Sequence, residues 1–402
     1  MAESQYFPRD FGLKSQIEGQ LAVDYRSRIV EYFKSHQFTL RAGNLTFRLA
    51  GEFGFCYGVD RAVEYAYETR TRFPDRSLFI TGEIIHNPHV NQRLREMGIR
   101  FLAGEGAAPD AWSALGAGDV VILPAFGVTV EQMGLLREKG CTLVDTTCGS
   151  VLNVWKNVER YARDGFTSII HGKYNHEETR ATASRTSLHG GGSYLVVRDL
   201  EQTALVTEFI RNEGSAEAFL GQFMHACSKG FNPHADLVRV GLANQTTMLS
   251  SESLQVAEEI RLAMIDRYGE GELSEHFRSF DTICSATQDR QDAVIRLLQE
   301  NLSLMLVIGG YNSSNTNHLA EIAIQRVPTY HIEDAGCLLD SSTIRHKPVR
   351  EKAPVLGRGW LPEGEAVIGI TAGASTPNNR IGEVVERVLE IRGLEIGELP
   401  LT

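Results

Sequence analysis

Apolar runs of strand length alternate with amphipathic helical patterns along most of the chain, and this alternation narrows the fold more than any other feature. SLFITGEIIH precedes NQRLREMG, DVVILPAFG precedes VEQMGLLREKG, and TLVDTTC precedes SVLNVWKNVERYARDG. TSIIHGKY runs into a polar loop. Further on, VGLANQTTM leads to SSESLQVAEEIRLAMIDRYG, SLMLVIGGYNSS to TNHLAEIAIQR, and AVIGITAGAST to NNRIGEVVERVLEIRG. Strands that each hand over to a helix predict an α/β fold with parallel sheets under helical layers. Ligands of such folds gather outside the carboxyl ends of the strands. Every unusual polar cluster of this sequence falls at such an end.

A chain of 402 residues has room for two or three α/β units with a large buried core. The pattern predicts three, over about 47–146, 147–281 and 282–402, with the strand near 47–55 free to join the third. Residues 1–46 read as a helical extension ahead of them. Residues 187–236, from SLHGGGSYLVV to MHACSKGFNPHAD, read as an insertion in the second unit. No apolar run is long enough to cross a bilayer. The N-terminus MAESQYFPRDFGLKSQIEGQ lacks an apolar signal core, and its acidic residues argue against a transit peptide, so a cytoplasmic or already processed chain is expected. The net charge of −11 argues against nucleic acid or anionic membrane as the main partner. Any anionic ligand must therefore be held by local donors.

Three of the six cysteines share a context. VDTTCGSVLNV places Cys148 where an apolar run turns into a helix, FDTICSATQDRQDAV repeats the junction around Cys284, and EFGFCYGVDRAVEYAY is a looser relative around Cys56. Cys141, Cys227 and Cys337 sit in unrelated surroundings and read as inert or partly buried thiols. A helix N-terminus favours the thiolate, which is the form that binds metal. The separations are far too long for a zinc ribbon or knuckle. Three thiolates from three units can instead hold a cubane iron–sulfur cluster with one iron left open, a Lewis acid able to bind a substrate oxygen and pass electrons to it.

Polar clusters crowd the other strand ends. Asn312, Ser313, Ser314, Asn315 and Thr316 follow VIGGY; Ser375 and Thr376 follow TAGA; Thr246 and Thr247 lie in ANQTTM; His86 and His89 lie in EIIHNPH; His176, Glu177 and Glu178 lie in YNHEET. Hydroxyls, amides and backbone N–H groups at helix starts make an anion site suited to phosphate. No P-loop and no dinucleotide fingerprint is present. Glu178 is the best proton donor of the set, with His176 placed to share its proton network.

With these motifs in this order, GFCYGVDRAV, GEIIHNPHV, DTTC, NHEET, NQTTM, DTICSATQDRQDAV, GGYNSSNTNHLAE and TAGASTP, the chain resembles the 4-hydroxy-3-methylbut-2-enyl diphosphate reductase family over about residues 47–390. The resemblance implies a trefoil of three α/β units with parallel-type sheets around a central [4Fe–4S] cluster, one per chain, bound by Cys56, Cys148 and Cys284. It implies reductive loss of the hydroxyl from an allylic diphosphate, with isopentenyl and dimethylallyl diphosphate as products. His86, His176, Thr246, Thr247, Ser313, Ser314, Asn315 and Ser375 fall on substrate-binding positions and Glu178 on the proton donor. The N-terminal extension and the middle insertion look like the longer form of cyanobacteria and plastids, which makes ferredoxin the expected external electron donor and the cytoplasm or a plastid stroma the expected location.

The chain departs from the better-known bacterial pattern at LPAFGVT, where Phe126 stands in place of a histidine before the glycine. Lys173 in IIHGKYNHEE, three residues before His176, is the candidate to replace the lost anion contact. Two other functions remain open on the residues alone: an iron–sulfur hydro-lyase, which needs no net electrons, and an iron–sulfur electron carrier or redox sensor.

Overall fold

The structure is a computed structural model describing residues 5–104, 107–280 and 282–395. The chain divides into two compact units. One takes residues up to Arg9, Asp75–Gly82 and Arg100–Cys284; the other takes Asp10–Pro74, Glu83–Ile99 and the chain from Ser285 onward.

The first unit carries two sheets. In one, the strands run in the order Tyr6–Phe7, Thr142–Asp145, Val120–Leu123, Leu78–Ile80, Ile99–Phe101. In the other the order is Phe277–Ser279, Val240–Asn244, Thr167–His171, Tyr194–Val197, with every adjacent pair parallel. Val240–Asn244 and Thr167–His171 are buried at each residue. Parallel strands roofed by helices on both faces must read this way, which is why their sequences are apolar runs rather than alternations. The second unit holds a third sheet, ordered Thr329–Ile332, Leu304–Ile308, Ala366–Ala372, Leu45–Leu49, Thr39–Ala42. Its first four strands are parallel, and Thr39–Ala42 closes the edge as an antiparallel strand.

Residues 187–236 are woven into the second sheet. Tyr194–Val197 pairs with Ser168–His171 as its edge strand. Asp199 then caps the helix Leu200–Asn212, its Oδ1 accepting from the Gln202 N–H at 3.0 Å. Phe209, Ile210, Phe219 and Phe223 enter the core beside Val256 and Ile260. The N-terminal extension is more than helical. Tyr6–Phe7 forms a strand on Leu143 and Val144. The helix Arg28–Ser35 contributes Ile29, Val30 and Phe33 to the core under the third sheet. The polar loop expected after TSIIHGKY gives way to a helix, Glu177–Ser184. Alanines and threonines supply its buried face, and His176 caps it, a cap type that propensity rules rank low. No helix among the described residues is long and apolar enough to cross a membrane.

Close packing in the second sheet sets the first prediction. A Cβ added at Gly241 would lie 2.5 Å from the Tyr161 ring, whose hydroxyl donates to the Leu242 carbonyl at 3.0 Å. Gly221 lies in the helix Ala216–Phe223 with open space around it. Gly241→Ala should cost roughly 1–3 kcal/mol through overpacking. Gly221→Ala should be neutral or stabilise by up to about 1 kcal/mol. Calorimetry of the two variants against the parent checks the contrast.

Candidate active site

One main-chain device holds each of the three junction cysteines. In the first unit, the ladder between Val120–Leu123 and Thr142–Asp145 continues past the strand ends. The Thr146 N–H donates to the Leu123 carbonyl at 3.2 Å and the Cys148 N–H to the Ala125 carbonyl at 2.9 Å. Asp145 Oδ1 accepts from both the N–H (2.9 Å) and the hydroxyl (2.5 Å) of Thr147, an Asx turn that bends the chain and leaves Cys148 as N-cap of the helix Gly149–Arg163. In the second sheet, Thr282 Oγ1 accepts from the Asn244 N–H at 2.8 Å, and the Cys284 N–H donates to the Thr246 carbonyl at 3.3 Å. Asp281, the aspartate of this copy, lies outside the described residues. In the other unit, Gly54 and Cys56 donate to the carbonyls of Ala372 and Ala374, both at 3.2 Å, and Cys56 is N-cap of the helix Tyr57–Arg72. In each case a cysteine leaving one strand is pinned to the loop that leaves the parallel strand beside it.

Within the first unit, Cys148 and Cys284 have the chemistry of a thiolate-held metal centre. None of the six cysteines forms a disulfide. Cys148 and Cys284 are half-buried, and the Ser150 hydroxyl donates to Cys284 Sγ at 3.4 Å. Burial pushes the Cys148 thiol above its usual pKa; the Ser150 N–H and hydroxyl pull it back, while the nearby Cys284 and Glu178 push it further up. A bound cation would reverse that balance, because it stabilises the thiolate. Cys141 and Cys337 are fully buried. Cys141 Sγ lies 3.5 Å from the Gly116 carbonyl, and Cys337 Sγ lies 3.4 Å from the Tyr311 hydroxyl. Burial raises the Cys227 thiol. These three behave as packing residues, as their surroundings in the sequence suggest.

Around Cys284 the first unit assembles an acid. Glu178 is 2% exposed at the first turn of the helix Glu177–Ser184. Its Oε1 accepts from the Thr246 N–H at 2.6 Å and its Oε2 from the Thr246 hydroxyl at 3.0 Å. His176 Nδ1 accepts from the Glu178 N–H at 3.1 Å, so the imidazole fixes the main chain under Glu178, and Thr246 grips the carboxylate. Thr246 has three duties, since its carbonyl also holds Cys284. Gln245 braces the loop: its Oε1 accepts from the Lys173 N–H and the Thr179 hydroxyl, both at 3.1 Å, and its Nε2 donates to Thr247 Oγ1 at 2.9 Å. Lys173 is half-buried in this same loop. Phe126 sets its ring edge-to-face against His176, with centroids 6.0 Å apart.

The second unit assembles donors. Ser313 caps the helix Ser314–Ala323, its Oγ accepting from the Thr316 N–H (3.3 Å) and hydroxyl (3.0 Å). Asn315 Oδ1 accepts from the Ala374 N–H at 2.8 Å, while its buried Nδ2 has no hydrogen-bond partner among the described residues. The Ser375 hydroxyl donates to the His86 carbonyl at 3.1 Å, and His86 Nδ1 lies 2.7 Å from Glu83 Oε2. Gly373 lets the strand end approach this helix: a Cβ there would fall 1.9 Å from Thr316 Oγ1. His89, grouped with His86 on sequence, is committed elsewhere, 2.9 Å from Asp334, whose carboxyl it holds below the usual range.

Reading the sequence missed Ser150, Gln245, Glu83 and Arg290. Arg290 is the clearest. It is 4% exposed, and its guanidinium donates to the Gly54 carbonyl at 2.8 and 3.2 Å and to the Phe55 carbonyl at 3.2 Å. A buried arginine six residues after Cys284 serves the loop of Cys56, a long-range pairing that spacing along one chain cannot announce.

The profile of the family described as LytB protein matches residues 47–389. A protein of Gloeobacter violaceus named 4-hydroxy-3-methylbut-2-enyl diphosphate reductase is 49% identical, over 98% of this chain and 94% of the relative. One of the same name from Thermosynechococcus vestitus is 48% identical, over 98% and 96%. A solved structure of (E)-4-hydroxy-3-methyl-but-2-enyl diphosphate reductase, described as the terminal enzyme of the non-mevalonate pathway, matches with a TM-score of 0.52 and 30% identity, covering 86% of this chain and 99% of that one. The Plasmodium falciparum reductase shares the fold at 19% identity, with a TM-score of 0.62 over 85% and 87% of the two chains.

Arg290→Met should leave the Gly54 and Phe55 carbonyls without their guanidinium, at a cost of about 1–3 kcal/mol. Hydrogen exchange should quicken across residues 51–57 and stay unchanged at the Cys148 junction.

Proposed function

The chain belongs to the LytB family, and from that premise we propose that it reductively removes the hydroxyl of (E)-4-hydroxy-3-methylbut-2-enyl diphosphate to give isopentenyl and dimethylallyl diphosphate. Two electrons and two protons enter, the allylic C–O bond breaks, one proton leaves on the oxygen as water and the other ends on carbon. LytB proteins are iron–sulfur enzymes. Cys56, Cys148 and Cys284 are the ligands of one [4Fe–4S] cluster per chain. With three protein ligands for four irons, the group supplies an open Lewis-acid site and the electrons at the substrate's hydroxyl.

The observation that carries this reading is the Glu178–Thr246–Cys284 connection, which ties a buried carboxyl to a ligating cysteine through one threonine. Glu178 is the proton donor. The Thr246 hydroxyl can donate to Oε2 when the carboxyl is ionised or accept a hydrogen bond from it when it is protonated, so the carboxyl stays fixed as it gains or loses its proton. The unpartnered Asn315 Nδ2 and the N-terminus of the helix Ser314–Ala323 suit the diphosphate. His86, His176, Thr247, Ser313, Ser314 and Ser375 complete the substrate's hydrogen bonds. The electron donor is ferredoxin, and the cytoplasm or a plastid stroma is the location, in keeping with the cyanobacterial relatives. The names of the relatives favour neither the hydro-lyase nor the electron carrier.

Anaerobic turnover of the allylic diphosphate should require a low-potential reductant and release water and both isoprenyl diphosphates. Water released without reductant, with a dehydrated diphosphate left in place of the isoprenyl products, would make the protein a hydro-lyase. Glu178→Gln, which keeps shape but donates no proton, should lower kcat by on the order of a hundredfold or more, with iron content unchanged. Phe126 offers no ring N–H, so Lys173 is assigned the missing anion contact. Lys173→Ala should raise KM by about ten- to a hundredfold with kcat retained, the scale of one charge-assisted bond.

A further inference from the structure

Ser150 opens the helix Gly149–Arg163 at its second position, two residues past Cys148 and more than a hundred from Cys284 in sequence. Its hydroxyl is 3.4 Å from Cys284 Sγ. Cys148, whose amide is pinned to Ala125, begins this same helix. The helix that begins after one of the assigned sulfurs therefore offers a hydroxyl to another. An ordinary helix serine at this position caps or is solvated; this one is half-buried against sulfur.

A hydrogen bond to a ligating sulfur strengthens as negative charge builds on that sulfur. An iron–sulfur cluster gains one negative charge on reduction, and part of it resides on the thiolates. Donors aimed at those thiolates therefore stabilise the reduced state more than the oxidised one and raise the reduction potential. We propose that Ser150 is a positioning residue that sets the reduction potential of the cluster, by donating its hydroxyl to the sulfur of Cys284. The proposal rests on these cysteines being ligands. It goes beyond that assignment by naming the side chain that makes the cluster easier to reduce by a low-potential donor.

The Ser150 hydroxyl proton is exchangeable, and this gives a direct signature. In the reconstituted, reduced protein, transfer to deuterated water should introduce a deuteron coupled to the cluster spin that is absent from Ser150→Ala. Mediated redox titration should place the midpoint of Ser150→Ala more negative than that of the parent at equal iron content. Ser150→Thr, which keeps the hydroxyl, should return it most of the way. An unchanged midpoint in the alanine variant would overturn the proposal. So would equal shifts in the alanine and threonine variants, or equal iron loss from both, since these assign Ser150 to packing alone. The ligand assignment is tested separately: if Cys148→Ser and Cys284→Ser strip the cluster while Ser150→Ala leaves the midpoint unmoved, only the role of Ser150 fails.

Discussion

The amide of each junction cysteine is hydrogen-bonded to the loop leaving the neighbouring parallel strand, and the site depends on that bond. It joins Cys148 to Ala125, Cys284 to Thr246 and Cys56 to Ala374 at 2.9, 3.3 and 3.2 Å. A parallel ladder carries evenly spaced bonds and ends abruptly where the strands become loops. Extending it by one more rung past the strand ends sets the height of each thiol relative to its sheet. The helix that follows then points its N-terminus along the same direction, which favours the thiolate. Cysteine placement is thus a property of sheet register, fixed by the apolar strands.

The same rung carries the acid. In the second sheet the partner of Cys284 is Thr246, and Thr246 also grips both oxygens of Glu178 at 2.6 and 3.0 Å. A carboxyl this buried cannot rely on water for orientation, so its geometry comes from one residue that also answers to the cysteine. In the second unit the counterpart rung runs through Ala374, whose N–H is taken by Asn315 and whose neighbour Ser375 donates to the His86 carbonyl. There the strand end orders Asn315 and Ser375 instead of a carboxyl. Two of the three cysteine rungs are thus braced by buried polar side chains.

Much of this was legible in the sequence because it follows from local rules. Runs such as SLMLVIGG and AVIGITAG are apolar throughout, as doubly covered parallel strands require, and the Asp-Thr-x-Cys junction encodes its own turn through Asp145 and Thr147. Two kinds of feature stayed hidden. Residues 187–236 and the first residues of the chain looked like additions, yet Tyr194–Val197 and Tyr6–Phe7 each extend a sheet, because edge strands are short and carry little periodicity. Braces acting across long separations were also invisible: Arg290 on the Gly54 and Phe55 carbonyls, Gln245 on Lys173 and Thr179, Ser150 on Cys284. Their residue types are common on helix and loop surfaces, and only the fold shows them turned inward. His89 is the opposite case, a residue in a suggestive motif whose partner is Asp334.

The central claim is that three thiolates hold a four-iron cluster whose remaining iron is open to the substrate's hydroxyl. Mössbauer spectroscopy of protein reconstituted with iron-57 tests it most directly, recorded without and with the allylic diphosphate. The account predicts one iron site distinct from the other three, and a change in that site alone when the substrate is added. Four irons of one kind, unmoved by substrate, would contradict it.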